Sequence, residues 1–286
     1  MDRKGAKAQT ADGEGALLVV DVGNTRVRLG LARGGVLERV WCAKTVPGCT
    51  SDEALAQIMV LARCPGRVPD ANAEASCRPR GGEVGPIRWD DAIVASVVPD
   101  LTDAWVRACA QLTGRRPLVV GPGVRTGVPM SYSDPGELGA DIVADLAAAT
   151  VSYRPPFIVV DLGTTTTFMA VDGKGRFVGG IIAPGLQVAA SAASSAAAKL
   201  PSVDLRAPKC AIGRNTREAM QSGFVLGQAA MIDGLVAQCK RELDGCDTVV
   251  IAGESSQAMA ALCETATEHR EFLTLEGLVR LHALNR

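Results

Sequence analysis

Asp21-Val22-Gly23-Asn24-Thr25 and Asp161-Leu162-Gly163-Thr164-Thr165 are two copies of one pattern. Each sets a carboxylate two residues before a glycine, with hydroxyl or amide side chains just after it. Glycine in a tight turn lets backbone amides come close to an anion, and hydroxyls beside them add donors to phosphate oxygens. The aspartate suits a hard cation or its water shell. Two such turns facing each other would hold a nucleoside triphosphate from both sides. A single Asp-x-Gly is usually just a hairpin turn; two copies in matching surroundings shift the balance toward function.

The surroundings do match. Each copy follows an apolar run (Leu17 to Val20; Phe157 to Val160) and precedes an alternating one, which reads as strand, turn, strand. Residues 16–45 form a three-strand meander that turns at Gly34-Gly35. Ser51 or Asp52 caps a helix with Leu55, Ile58, Met59 and Ala62 on one face. A strand over 92–98, a helix over 101–112 and a strand over 117–120 follow. A helix over 138–150 then leads into the second meander: 157–164, 166–171, a turn at 172–175, and 176–182. Beyond Ala183-Pro184-Gly185 come an Ala-rich helix, a long helix over 216–243, a strand over 248–252 and helices over 255–265 and 274–283. The expected fold is a duplicated α/β architecture, with mixed sheets and a cleft between the halves. The halves are residues 16–137 and 138–286. Residues 1–15 are a polar leader, and 64–86, rich in Pro, Gly, Arg and Glu, an exposed insertion.

Composition narrows the chemistry. A formal net charge of −1 over 286 residues offers no electrostatic footprint for nucleic acid. The nine cysteines are odd in number and lack any Cys-x-x-Cys, which points to free, mostly buried thiols in a reducing cytoplasm. The small-apolar stretch 188–198 is too short and too weakly hydrophobic to span a bilayer. Only His269 and His282 are present, so histidine chemistry is disfavoured.

Within the acetate and sugar kinase, actin and heat-shock chaperone ATPase superfamily, the chain resembles type III pantothenate kinases. The resemblance rests on the two Asp-x-Gly segments, Gly139-Ala140-Asp141, Gly179-Gly180-Ile181-Ile182-Ala183-Pro184-Gly185, Ile212-Gly213-Arg214-Asn215-Thr216, Met220-Gln221-Ser222-Gly223 and Leu273-Thr274-Leu275-Glu276-Gly277-Leu278. It implies two ribonuclease-H-like (actin-like ATPase) domains and transfer of phosphate from ATP to pantothenate, the first step of coenzyme A synthesis. The resemblance also assigns residues. Asp21, Val22, Gly23, Asn24, Thr25, Arg26, Val27 and Arg28 form the first phosphate cradle, with Asp21 near magnesium; Gly163 and Thr164 form the second. Asp161 holds a monovalent cation, potassium or ammonium. Asp141 is the general base, against the plainer reading of a helix-start aspartate that favours the macrodipole. Tyr132, Gly139, Ala140, Asp141, Ile142 and Thr216 contact pantothenate, Thr216 from the partner of a homodimer; its plainer reading is a helix N-cap. Thr166 and Thr167 read as β-branched strand residues.

Three positions depart from the family pattern. Ile142 stands where an arginine meets substrate, Asp145 where asparagine is common, and Gly253-Glu254 where a Gly-Gly pair approaches the adenosine. The alternatives are therefore a nucleotide-binding regulatory or accessory paralogue, or a kinase for another small hydroxyl compound. Retention of Asp21, Asp141 and Asp161 argues for catalysis.

Overall fold

The computed structural model describes residues 15–69, 86–197 and 200–286; the leader, apart from Gly15, most of the 64–86 insertion and Cys77 lie outside the described residues. Strands β1 (Ala16–Val22), β2 (Arg26–Arg33) and β3 (Val36–Lys44) make the first antiparallel meander. Helix α1 (Ser51–Ala62), β4 (Trp89–Ser96), α2 (Pro99–Thr113) and β5 (Leu118–Val119) complete the first half, with β4 parallel to β1 and β5 parallel to β4. Helix α3 (Ala140–Ser152) then leads to β6 (Phe157–Leu162), β7 (Thr165–Val171) and β8 (Phe177–Pro184), again antiparallel. Helices α4 (Leu186–Ala196) and α5 (Thr216–Glu242), β9 (Thr248–Ala252), α6 (Ser256–Ala260), β10 (Glu268–Arg270) and α7 (Leu273–Asn285) close the chain.

The two sheets have orders β3-β2-β1-β4-β5 and β8-β7-β6-β9-β10, which is one topology used twice. The first face of sheet one packs on α1 and α2 through Ile58, Leu101 and Trp105. Its other face meets α3 and α7 through Val19, Ile93, Ala144, Leu275 and Leu278. Sheet two meets α3 through Val159, Met169 and Leu146, and its far face packs on α5 and α6 through Ile232, Val236 and Met259. The molecule is therefore layered helix, sheet, helix, sheet, helix, with α3 and α7 shared in the middle. A helix with a sheet on each side needs short side chains, which is why α3 is rich in alanine. The crossing with α7 is tightest at Gly277, where a Cβ would collide with the Ala144 backbone.

Local chemistry sets several boundaries differently from the sequence expectations. Thr50, not Ser51 or Asp52, caps α1: its hydroxyl accepts from the Glu53 amide at 3.3 Å while the Glu53 carboxylate accepts from the Thr50 amide at 2.8 Å. Asn215 likewise caps α5 by accepting from the Glu218 amide at 3.0 Å, which leaves Thr216 as the first helical residue. The helix expected over 255–265 stops at Ala260, and β10 follows it. That segment is held by Asp233 of α5, which accepts from the amides of Glu264 and Thr265 at 2.9 Å each. The thiols are less uniformly buried than composition suggests: Cys49, Cys109, Cys246 and Cys263 are buried, whereas Cys42, Cys64 and Cys210 are exposed.

Candidate active site

Duplication of the topology puts Asp21 near the end of β1 and Asp161 near the end of β6, each just before its glycine turn. In the first turn the Gly23 amide donates to the Arg26 carbonyl at 2.9 Å; in the second the Gly163 amide donates to the Thr165 carbonyl at 2.9 Å, so the second turn is one residue shorter. Each turn is braced from the end of its meander. The Thr45 hydroxyl donates to the Gly23 carbonyl at 2.6 Å, and the Gly185 amide donates to the Thr164 carbonyl at 3.1 Å. The turns face each other: the hydroxyls of Thr25 and Thr164 lie 3.4 Å apart, and Arg26 pairs with Glu254 across the same gap. Val22 and Val27 are buried anchors of the first turn, while Asn24, Thr25 and Arg26 are exposed at its tip.

Behind the turns lies a group of carboxylates. Asp21 is 3% exposed and sits directly across the β1–β2 ladder from Arg28, whose Nε donates to its Oδ2 at 2.9 Å. Burial pulls the Arg28 pKa down, but Asp21, Asp161 and Asp145 together outweigh it and raise it, so the guanidinium stays charged. Arg28 thus faces carboxylates of both halves, and its Nε is committed to Asp21. Asp161 is buried, and burial first, with the Asp141 and Asp21 charges adding to it against Arg28, pushes its carboxyl up to about 6. Its Oδ1 has no hydrogen-bond partner among the described residues.

Asp141 occupies the first turn of α3, with Gly139 as the helix cap and the largely buried Ala140 between them. Its Oδ1 accepts from the Ile142 amide at 2.8 Å. Burial raises its pKa, the Asp21 charge adds to that, and the Ile142 amide and Arg28 oppose it. A carboxylate so placed is a stronger proton acceptor than an exposed aspartate. The helix-start role and the base role therefore coincide in one side chain.

Asp145 joins this group from one turn further along α3. It is 1% exposed, one of its oxygens is unpartnered, and burial followed by the Asp161 charge holds its pKa well above the usual carboxylate range despite a hydrogen bond from Thr274 of α7. Sequence reasoning marked it only as a departure from a pattern. The signal was its spacing of four from Asp141, which puts both carboxylates on one face of the helix.

The remaining expected residues are more dispersed. Ile142 packs with Met130, Leu138 and Tyr153 against the core of the second half, so it offers a hydrocarbon wall. Tyr132 packs on Phe177 with ring centroids 5.5 Å apart and the rings tilted by 33°, at the start of β8, the end away from the second turn. Thr216 is exposed. Among the described residues neither Tyr132 nor Thr216 hydrogen-bonds to the aspartate group. Thr166 and Thr167 are buried strand residues, as expected, and Thr166 accepts from Gln228 Nε2 at 2.6 Å.

Magnesium and a monovalent cation are implied by the family pattern, and the donors fit hard cations. All are carboxylate, hydroxyl or carbonyl oxygens, and two buried carboxylate oxygens lack a partner. Among the described residues no group of three or more His, Cys, Asp or Glu side chains forms a metal cage, and no helix is long and apolar enough to cross a membrane.

The chain is similar in fold to the ethanolamine utilization protein EutJ of Carboxydothermus hydrogenoformans, with a TM-score of 0.50 over 92% of this chain and 89% of that one at 14% identity. It is 37% identical to the type III pantothenate kinase of Anaeromyxobacter dehalogenans strain 2CP-C, over 94% of this chain and 100% of the relative. It is 38% identical to that of Geobacter sulfurreducens, over 94% and 99% of the two chains. A sequence model of the family described as type III pantothenate kinase matches residues 17–238. The chain, with its doubled Asp-x-Gly turn and the aspartates gathered behind it, belongs to the type III pantothenate kinase family.

Proposed function

We propose that this chain transfers the γ-phosphoryl group of ATP to the primary hydroxyl of pantothenate, yielding 4'-phosphopantothenate for coenzyme A synthesis. The observation that carries the reading is Asp141, a largely buried carboxylate of raised pKa beside two facing phosphate turns, in a chain of this family. Phosphoryl transfer needs cradled phosphates, neutralised charge and an oriented hydroxyl. The amides of Gly23 to Thr25 and Gly163 to Thr164, with the Thr25 and Thr164 hydroxyls, cradle the phosphates. Asp21, fixed by Arg28, would hold magnesium through water or phosphate, and Asp161 would hold a monovalent cation; these ions neutralise the developing charge when bound. Asp141 accepts the hydroxyl proton and points the oxygen at phosphorus. Thr216, exposed and without a bond to the aspartates of its own chain, fits a homodimer in which it completes the partner's site. We assign the protein to the cytoplasm on the same reading, with no nucleic-acid or membrane partner.

Purified protein with pantothenate, ATP, magnesium and potassium should release ADP, and Asp141→Asn should lower kcat by roughly 100- to 10,000-fold with little change in KM for ATP. Absence of both turnover and pantothenate binding defeats the reading. Ile142 favours a second one, a kinase for a different small hydroxyl compound, because a hydrocarbon wall cannot recognise a carboxylate as a guanidinium fork does. A substrate panel separates the two. A purely regulatory role has less support, since Asp21, Asp141 and Asp161 are all retained.

A further inference from the structure

The first turn carries more positive charge than its own hairpin uses. Arg28 is taken up by Asp21, but Arg26 and Lys44 stand directly opposite each other on the β2–β3 ladder, where like charges repel. Lys44 has no ion pair among the described residues. Arg26 finds its anion across the cleft, where its guanidinium pairs with the carboxylate of Glu254 from the other half of the chain. Glu254 stands there because β9 runs parallel to β6 and ends beside the second turn, with Ala252 opposite Asp161. Gly253 then turns the chain with a φ of +94°, so close to that turn that a Cβ would lie 2.7 Å from the Leu162 carbonyl. The Ser256 amide closes this bend by donating to the Gly253 carbonyl at 3.0 Å, which leaves Glu254 exposed at its tip. The pair therefore ties the two phosphate turns together next to Thr25, whose hydroxyl lies 3.4 Å from that of Thr164. A phosphate group lying between those hydroxyls would hold them further apart.

We propose that Glu254 sets how tightly the cleft takes nucleotide, by competing with the phosphates for Arg26. The proposal rests on the reading of the two turns as a phosphate cradle. Each side chain of the pair is 51% exposed, so the pair is solvated, screened and weak as a fastening. A guanidinium meets phosphate oxygens in the same forked geometry as a carboxylate, and phosphate brings more charge. Arg26 can change partner by its side chain alone, because the Gly23 amide and the ladder with β3 fix its backbone. Once Arg26 has left, the Glu254 carboxylate faces an anion without a partner of its own. That loosens the hold on bound nucleotide and favours release of the product diphosphate. Glu254 is thus a positioning residue, acting on phosphate through Arg26. The plain alternative is a rim ion pair that the nucleotide never meets.

The test is calorimetric titration of the full chain with ADP and magnesium. No acceptor is present, so the outcome is independent of whether pantothenate is the substrate. Glu254→Gln should bind ADP roughly three- to fivefold more tightly than the native chain, and Arg26→Gln more weakly by a similar factor. In the Arg26→Gln background, adding Glu254→Gln should change the affinity by less than about twofold, because the competition has lost its object. Both positions are exposed, so the variants are expected to fold. The proposal alone is overturned if Glu254→Gln binds ADP as the native chain does, which is the rim-pair result. It is also overturned if Glu254→Gln tightens binding equally in both backgrounds, which is simple repulsion between Glu254 and the anion. A native chain that binds no ADP overturns the cradle reading together with it.

Discussion

The two glycine turns share a strand order and a bracing scheme but differ in how they handle their aspartate. In the first, Asp21 and Arg28 stand opposite each other on the β1–β2 ladder and neutralise each other within a single hairpin. In the second, the shorter turn sets Thr167 opposite Asp161, and no cation of that hairpin reaches the carboxylate. One copy is therefore electrostatically closed and the other open. An internal salt bridge fixes a carboxylate in position, whereas an open buried carboxylate is poised to take up a cation or a proton. The duplication thus supplied two equal frames, and side-chain charge made them unequal.

Removing each aspartate in turn should expose that asymmetry most strongly. Asp21→Asn leaves the Arg28 guanidinium without its nearest partner, and its expected cost is about 3 kcal/mol in denaturant unfolding. Asp161→Asn discards a buried charge that has no ion pair within its own hairpin and one oxygen without a partner, and should be neutral or stabilising in cation-free buffer. Equal destabilisation by both variants would break the comparison.

A pH titration sharpens it. Burial first, with neighbouring carboxylates adding to it, pushes the Asp161 carboxyl up to about 6, so the folded chain keeps a proton that the unfolded chain has already released. Stability contributed by this group is present at low pH and falls as pH rises from about 4 to about 6, by no more than about 3 kcal/mol. Asp141 and Asp145 are shifted the same way, so the quantity to measure is the difference between native and Asp161→Asn proteins in cation-free buffer. That difference should shrink toward acid pH; a flat difference removes the open-carboxylate reading.

Smaller effects should come from the neighbours of the second turn. Gly253 has a φ of +94°, and a Cβ there would lie 2.7 Å from the Leu162 carbonyl and 3.1 Å from Asp161 Oδ1. Gly253→Ala should cost about 2 kcal/mol and weaken whatever Asp161 binds. Smallest of all is Glu254→Ala, which removes the ion pair with Arg26 across the cleft. Both side chains are 51% exposed, so thermal unfolding should change by less than about 1 kcal/mol. A measurable change in nucleotide KM without a stability change would place Glu254 at the nucleotide.

Much of this was legible in advance where the information is local. The meanders, the long α5 and β9 follow from periodicity and turn residues, and the Asp-x-Gly repeat pointed to the two facing turns of the candidate site. Thr50 was missed because its capping box depends on a reciprocal bond with Glu53 that either Ser51 or Asp52 could have imitated. Strand β10 was missed because three residues joining a sheet edge carry too little pattern, and Asp233, thirty-odd positions away, decides where that segment turns. Asp145 carried a helical-spacing signal, yet its burial depends on α7 returning from the far end of the chain to cover it.

By itself, the sequence determined that this chain is built from two equivalent halves, that each ends a strand in an aspartate and a glycine turn, and that Asp141 heads the helix between them. Those are matters of residue type and spacing, to which backbone geometry responds within a few positions. Only the tertiary structure decided which aspartate is neutralised and which is left open. Electrostatics acts through space and through burial: the β1–β2 ladder set Arg28 against Asp21, while the packing of α3 and α7 between two sheets buried Asp145 and Asp161 with an oxygen of each left without a partner.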